Sequence, residues 1–195
     1  MLFTQGTPLE ASDASHTKEW LRRYRRVRAA SEALCAPLER EDYVVQSMDD
    51  VSPPKWHLAH VSWFFETFLL IPFLKGYVPL DPAYDFLFNS YYETHGTPFP
   101  RPRRGLISRP TVDDVYRYRA HIDHAMDELL SRPPAEHLDE IIRRVVLGLN
   151  HEQQHQELLV MDIKHILAQN PLHPIYRHDL VPAPTHSTQT LDWHT

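Results

Sequence analysis

The chain has 195 residues, 42% of them hydrophobic, and a formal net charge of -6 at pH 7. That is enough for one domain with a full core and no covalent staples, and the acidic balance gives no reason to expect a nucleic-acid partner. The single cysteine, Cys35, excludes an internal disulfide and points to a reducing compartment.

The first predicted helix spans about residues 17–38, after a tail over 1–16. Trp20, Leu21, Tyr24, Val27 and Leu34 recur every three to four positions. The arginines between them, Arg22, Arg23, Arg25, Arg26 and Arg28, read as a solvated or salt-bridged face. Cys35 lies at its end and reads as a buried structural thiol. The second helix is expected to open at Ser52-Pro53-Pro54, with Ser52 as N-cap and proline at the first helical position. It carries Trp56, His60, Trp63, Phe64 and Phe68 toward Pro72. The apolar run 61–74 is broken by Glu66 and Pro72 and is too short to span a bilayer. Met1-Leu2-Phe3 opens no basic-then-apolar leader. A cytoplasmic protein with no membrane partner is expected.

Residues 73–110 lack helical periodicity and are rich in proline and aromatics: Tyr84, Phe86, Phe88, Tyr91, Tyr92 and Phe99. So many aromatics argue against disorder, so an ordered crossover loop walling one side of a site is expected. The third helix begins with Thr111 as cap and Asp114 three residues on, a capping box with Asp in place of Glu. It carries Val115, Tyr118, Ile122, Met126 and Leu129 and ends before Pro133-Pro134. The fourth runs from about 135 to 169 and stops at Asn170-Pro171. Strand patterns are hardly visible. The expected fold is therefore all-α, an antiparallel four-helix bundle over residues 17–178, with 179–195 composed like a linker.

The fourth helix carries HEQQHQELL. His151 and His155, four apart, share one helix face about one turn apart and can hold one metal ion from a rigid support. A third histidine would complete a three-ligand site with open positions. WHLAH offers His57 and His60, and spacing alone does not choose between them. His121 and His124, three apart on the third helix, form a rival pair without comparable neighbours and read as structural. His95, His137, His173, His178, His186 and His194 lie in loops or near ends and read as solvated. HEQQH also matches the zincin pattern, with Glu152 as general base. That reading lacks a metzincin continuation, a glutamate after Glu157 and upstream strands.

The segments WHLAHVSWFFETFLL, FNSYYE, RPRRGLISRPTVDDV, LGLNHEQQHQELLVMDIKHIL and NPLHPIY, in this order, resemble the N-terminal DinB-like domain of ergothioneine-biosynthesis sulfoxide synthases. The resemblance covers about residues 17–178; ovothiol and selenoneine synthases share the plan. It implies a mononuclear non-haem ferrous ion, Fe(2+), held by His60, His151 and His155, with His57 supporting or packing. The implied reaction uses dioxygen to join a thiol, γ-glutamylcysteine or cysteine, to the imidazole of trimethylhistidine (a histidine betaine), giving a sulfoxide. Arg101 and Arg104 are the positions matching the family's carboxylate-binding arginines. Family members continue into a domain resembling the formylglycine-generating enzyme, which supplies a catalytic tyrosine and much of the histidine-substrate pocket. The resemblance thus implies a fragment, a truncated frame, or a half working with a separate domain of that kind, with little sulfoxide synthesis by this chain alone. A stand-alone DinB-type thiol-dependent transferase and a non-catalytic scaffold are the alternatives.

Overall fold

The computed structural model describes residues 9–90 and 96–180. Six α-helices are present among them: α1 (Leu9–Cys35), α2 (Pro54–Phe65), α3 (Ile71–Phe73), α4 (Ala83–Phe88), α5 (Val112–Ser131) and α6 (Leu138–Gln169). No strand occurs among the described residues. A π-helical turn, Glu66–Leu70, joins α2 to α3, so the two continue as one rod ending just past Pro72.

Four long rods make the bundle, with α1 and α2 each packed between α5 and α6. Tyr24 and Arg28 meet Asp123 while Glu32, further along α1, meets Arg119, so α1 and α5 run in opposite directions. Likewise Ser52, His57, His60 and Phe65 meet Asp162, His155, His151 and Gly148, which makes α2 antiparallel to α6. Lys55 at the start of α2 donates to the Pro110 carbonyl just before α5, so these two helices start at the same end. Only a long crossover can return the chain to that end.

All twelve residues of α2 are buried. Three bundle neighbours cannot cover a helix on every side, and the crossover supplies the remaining cover. Trp56 Nε1 donates to the Leu87 carbonyl at 3.1 Å, and Trp63 Nε1 donates to Asp85 at 2.8 Å. Phe88 and Tyr84 insert beside Tyr118. The crossover is therefore ordered where described, as its aromatics suggested. It is not irregular throughout: α4 and a 3-10 turn, Arg101–Leu106, lie within it. Tyr91 and Tyr92 fall outside the described residues.

The buried side of the π-helical turn holds Glu66, which accepts from Tyr77 Oη at 2.5 Å and from Tyr118 Oη. Thr111 and Asp114 form the expected capping box, Thr111 N donating at 2.8 Å and Asp114 N at 3.1 Å. Asn170 stops α6 as expected. Cys35 is buried, and burial pushes its thiol up to about 12, as suits an inert group.

Three local expectations need correction. Helix α1 begins at Leu9, eight residues early, because Leu9, Glu10, Ala11 and Ala14 are strong helix formers without the apolar period that marked the rest. Ser52 does not cap α2; Pro53 holds that place, Ser52 N donates to Asp162, and Ser52 Oγ accepts from Arg104. Arg28 does not belong to the solvated face of α1, for it is 2% exposed, whereas Arg22, Arg23, Arg25 and Arg26 are exposed.

Gly148 sets the closeness of α2 to α6. A Cβ there would lie 2.6 Å from Phe65 Cε1 and 3.0 Å from Phe64 Cε1, and both rings are buried. Gly148→Ala is expected to destabilise the fold by about 1–3 kcal/mol through overpacking, despite alanine's better helix propensity. Urea denaturation checks it, and equal or greater stability would contradict so close an approach.

Candidate metal centre

Gly148 stands one turn before His151, so the tight approach of α6 brings that turn against α2 where His57 and His60 lie. His60, His151 and His155 offer ligand nitrogens that all lie within 4.8 Å of one another. Among the described residues they form the one such group. His60 Nε2 faces His151 Nε2 at 3.2 Å. Metal–imidazole bonds of about 2.1 Å place neighbouring ligand nitrogens roughly 3 Å apart, so this pair already has a chelate's spacing.

The rings are held by different means. His60 Nδ1 lies 2.5 Å from the Phe88 carbonyl, which only accepts, so Nδ1 carries the proton and Nε2 presents its lone pair. Trp56 stacks on the His60 ring, centroids 4.6 Å apart. His151 packs against Phe64. His155 Nδ1 lies 2.9 Å from His57 Nδ1, and His57 Nε2 lies 2.9 Å from Asp162 Oδ2.

Burial holds all these imidazoles neutral at pH 7. It takes His151 down to about 4 against the opposing pull of Glu152. It takes His60 and His155 far below the ordinary histidine range, with neighbouring histidines adding to the effect. His57 is lowered by burial too, although Asp162 opposes this. Neutral imidazoles are the form that ligates metal.

The residues fit a cation. His60 Nε2, a lone-pair nitrogen in this tautomer, faces His151 Nε2 at 3.2 Å, and a positive ion between the two rings would be bound by both once His151 also turns a lone pair to it. His151 Nδ1 is buried without a hydrogen-bond partner among the described residues, so none of them ties this ring to another task. The site opens into a cavity of about 530 Å³, walled by Trp56, Gln154, Leu158 and Ser90 besides the histidines, with Arg101 and Arg104 on the crossover side. Arg104 is buried; its Nη1 donates to Ser52 Oγ at 2.9 Å, its Nη2 to Ser90 Oγ at 3.1 Å, and its guanidinium lies over the Trp56 ring. Arg101 Nε donates to the Asp50 carbonyl at 3.1 Å.

Glu152 takes no part in that cavity. Its carboxylate is fully buried, accepting from Arg28 Nη1 at 3.1 Å, Ser31 Oγ at 2.7 Å and Arg119 Nη2 at 3.3 Å. Burial pushes its pKa up, but Arg28 and Arg119 outweigh burial and hold it below the usual carboxylate range. A general base must face substrate, so the zincin reading does not hold. The rival pair belongs to no three-ligand group among the described residues, His124 being exposed and His121 lying against Tyr77. His137, His173 and His178 are exposed as expected; His95, His186 and His194 lie outside the described residues.

Asp162, Ser52, Ser90 and Gln154 were not expected at the site. Asp162 carried a signal: it stands seven residues after His155, two turns along the same helix face. Ser90 and Ser52 carried none, since their positions depend on the path of the crossover.

A helical bundle with a three-histidine cradle between two antiparallel helices, open to one cavity, defines a domain able to hold a metal ion. The DinB superfamily model matches residues 23–159, well over half of the chain, and the chain belongs to that superfamily. Domains of this superfamily often bind metal. No curated protein matches the chain. No described helix is long and apolar enough to cross a membrane.

Proposed function

We propose that this chain is the iron-holding domain of an ergothioneine-biosynthesis-type sulfoxide synthase, acting in oxygen-dependent C–S bond formation between a thiol and the imidazole of trimethylhistidine. The observation carrying the reading is convergence. WHLAH, RPRRG and HEQQH, far apart in sequence, border one cavity with His60, His151, His155, Arg101 and Arg104 together at its wall. The resemblance of those segments to the synthases supplies the reaction class, and the three neutral imidazoles suit Fe(2+). When bound, ferrous iron supplies a site for a thiolate and a source of electrons for dioxygen.

The chain's own residues do the positioning. His60, His151 and His155 fix where the thiol sulfur sits. Arg101 and Arg104, from the crossover, offer positive charge to carboxylates of γ-glutamylcysteine or cysteine, and Ser52 and Ser90 hold the Arg104 guanidinium in place. The trimethylhistidine pocket and the proton-handling tyrosine fall, on this reading, to a partner domain resembling the formylglycine-generating enzyme.

The iron-loaded chain, under anaerobic conditions, is titrated with γ-glutamylcysteine, cysteine and cysteamine. A metal-dependent spectral change is expected with the first two, weakened severalfold by Arg101→Ala and weaker for cysteamine, which lacks a carboxylate. Adding dioxygen, trimethylhistidine and the partner domain should give a sulfoxide by mass spectrometry. Thiol binding indifferent to metal and to carboxylates would overturn the assignment. Alkyl or acyl transfer to the thiol without dioxygen would assign a DinB-type transferase instead.

A further inference from the structure

His57 and Asp162 are both buried, at 4% and 3% exposure, and neither faces bulk solvent. Two titratable side chains in a core are costly unless each polar atom is answered. Here every bond has one consistent direction. Asp162 Oδ2 accepts from the Ser52 backbone N–H at 2.9 Å and lies 2.9 Å from His57 Nε2. A carboxylate that accepts obliges His57 to carry its proton on Nε2. The neutral ring then has a bare Nδ1, which lies 2.9 Å from His155 Nδ1. Two bare nitrogens cannot bond, so the proton between them belongs to His155. That leaves His155 Nε2 as its lone-pair nitrogen.

We infer that Asp162 and His57 form a positioning relay that fixes the tautomer and orientation of His155, so that its Nε2 points into the metal cradle. This rests on the triad being a metal centre. It gives His57 a role that neither packing nor direct ligation provides. The three ring supports then differ: a backbone carbonyl sets His60, the relay sets His155, and His151 Nδ1 is answered by no group among the described residues. The relay spans α2 and α6 and continues through Ser52 to Arg104, so the ligand and the arginine wall share one anchor. A partner that holds the non-ligating nitrogen of a metal-bound histidine typically contributes about 10–100-fold to affinity.

The test uses the full chain. In the metal-free wild type, nitrogen-resolved imidazole NMR is expected to show His60 and His155 protonated on Nδ1 and His57 on Nε2. His155 protonated on Nε2 overturns the relay, and this measurement needs no variant to fold. Cobalt(II) affinity, measured against a competing chelator, is expected to fall about 10–100-fold in His57→Phe with helical content retained and the visible spectrum altered. Asp162→Asn, whose amide oxygen can still accept from Ser52 and His57, should lose less affinity than Asp162→Leu. Equal affinity in wild type and His57→Phe, or identical losses in the two Asp162 variants, overturns the relay while leaving the centre intact. Absence of cobalt binding by the wild type overturns the centre itself, and the relay with it.

Discussion

His155→Ala is expected to abolish stoichiometric iron binding, and His151→Ala and His60→Ala should do the same. Each leaves two imidazoles in place of three whose ligand nitrogens lie within 4.8 Å of one another and could hold an ion. The loss should exceed the roughly 10–100-fold attached to a mere supporting partner, because a metal–ligand bond itself is removed. The fold should survive, since most of the core, including Tyr24, Phe65, Tyr118, Ile122, Met126 and Leu149, packs apart from these rings, and only Trp63 and Trp56 stack on His60. His121→Ala, half-buried on α5 and remote from the cavity, should keep full metal. Metal analysis after gel filtration, with circular dichroism as a fold check, decides the matter. Retention of metal by both α6 variants and its loss from His121→Ala would contradict the assignment.

Glu152→Ala is expected to act in the opposite way, destroying stability rather than chemistry. Glu152 joins α6 to Arg28 of α1 and Arg119 of α5, all three essentially inaccessible to solvent. Arg28 also binds Asp123 and Ser62, and Arg119 binds Glu32 and the Leu58 carbonyl, so this network ties all four long rods together. Removing its carboxylate takes the one fully buried counter-charge from two buried guanidinium groups and leaves them only the part-exposed Asp123 and Glu32, a loss of about 3–5 kcal/mol. Against a typical total of about 5–15 kcal/mol, that leaves a marginal or unfolded protein. The pH dependence has a definite sign. Because the folded carboxylate has a pKa below its unfolded one, its contribution is present at neutral pH and is lost as pH falls through the folded pKa. Urea titration at pH 7 should show the destabilisation. A Glu152→Ala protein as stable as wild type would contradict the network's role.

The rods α1, α5 and α6 were legible because each has an apolar face of helical period, and α2, buried on every side, by the proline pair at its start; the Thr111–Asp114 box marked the start of α5 through a purely local pair of hydrogen bonds. The His151–His155 pair was legible for the same reason, as helix geometry alone puts both on one face. The third ligand was not decided by spacing. His57 and His60 both face α6, and what separates them comes from elsewhere: the Phe88 carbonyl behind His60 and the Asp162 carboxylate behind His57. Arg28 and Ser52 were misplaced for a similar reason. A charged residue on a helix reads as solvated, and a serine before two prolines reads as a cap, until a distant partner claims it. Helix α4 has six residues, too few to show a period.

On the function proposed above, three imidazoles of this chain hold one ferrous ion. X-ray absorption at the iron edge of anaerobically loaded wild-type protein tests it most directly. One iron per chain, with a nearest shell of nitrogen or oxygen and the outer-shell scattering of three imidazole rings, is the expected result. Fewer than two imidazoles, or less than half an iron bound per folded chain, would contradict it.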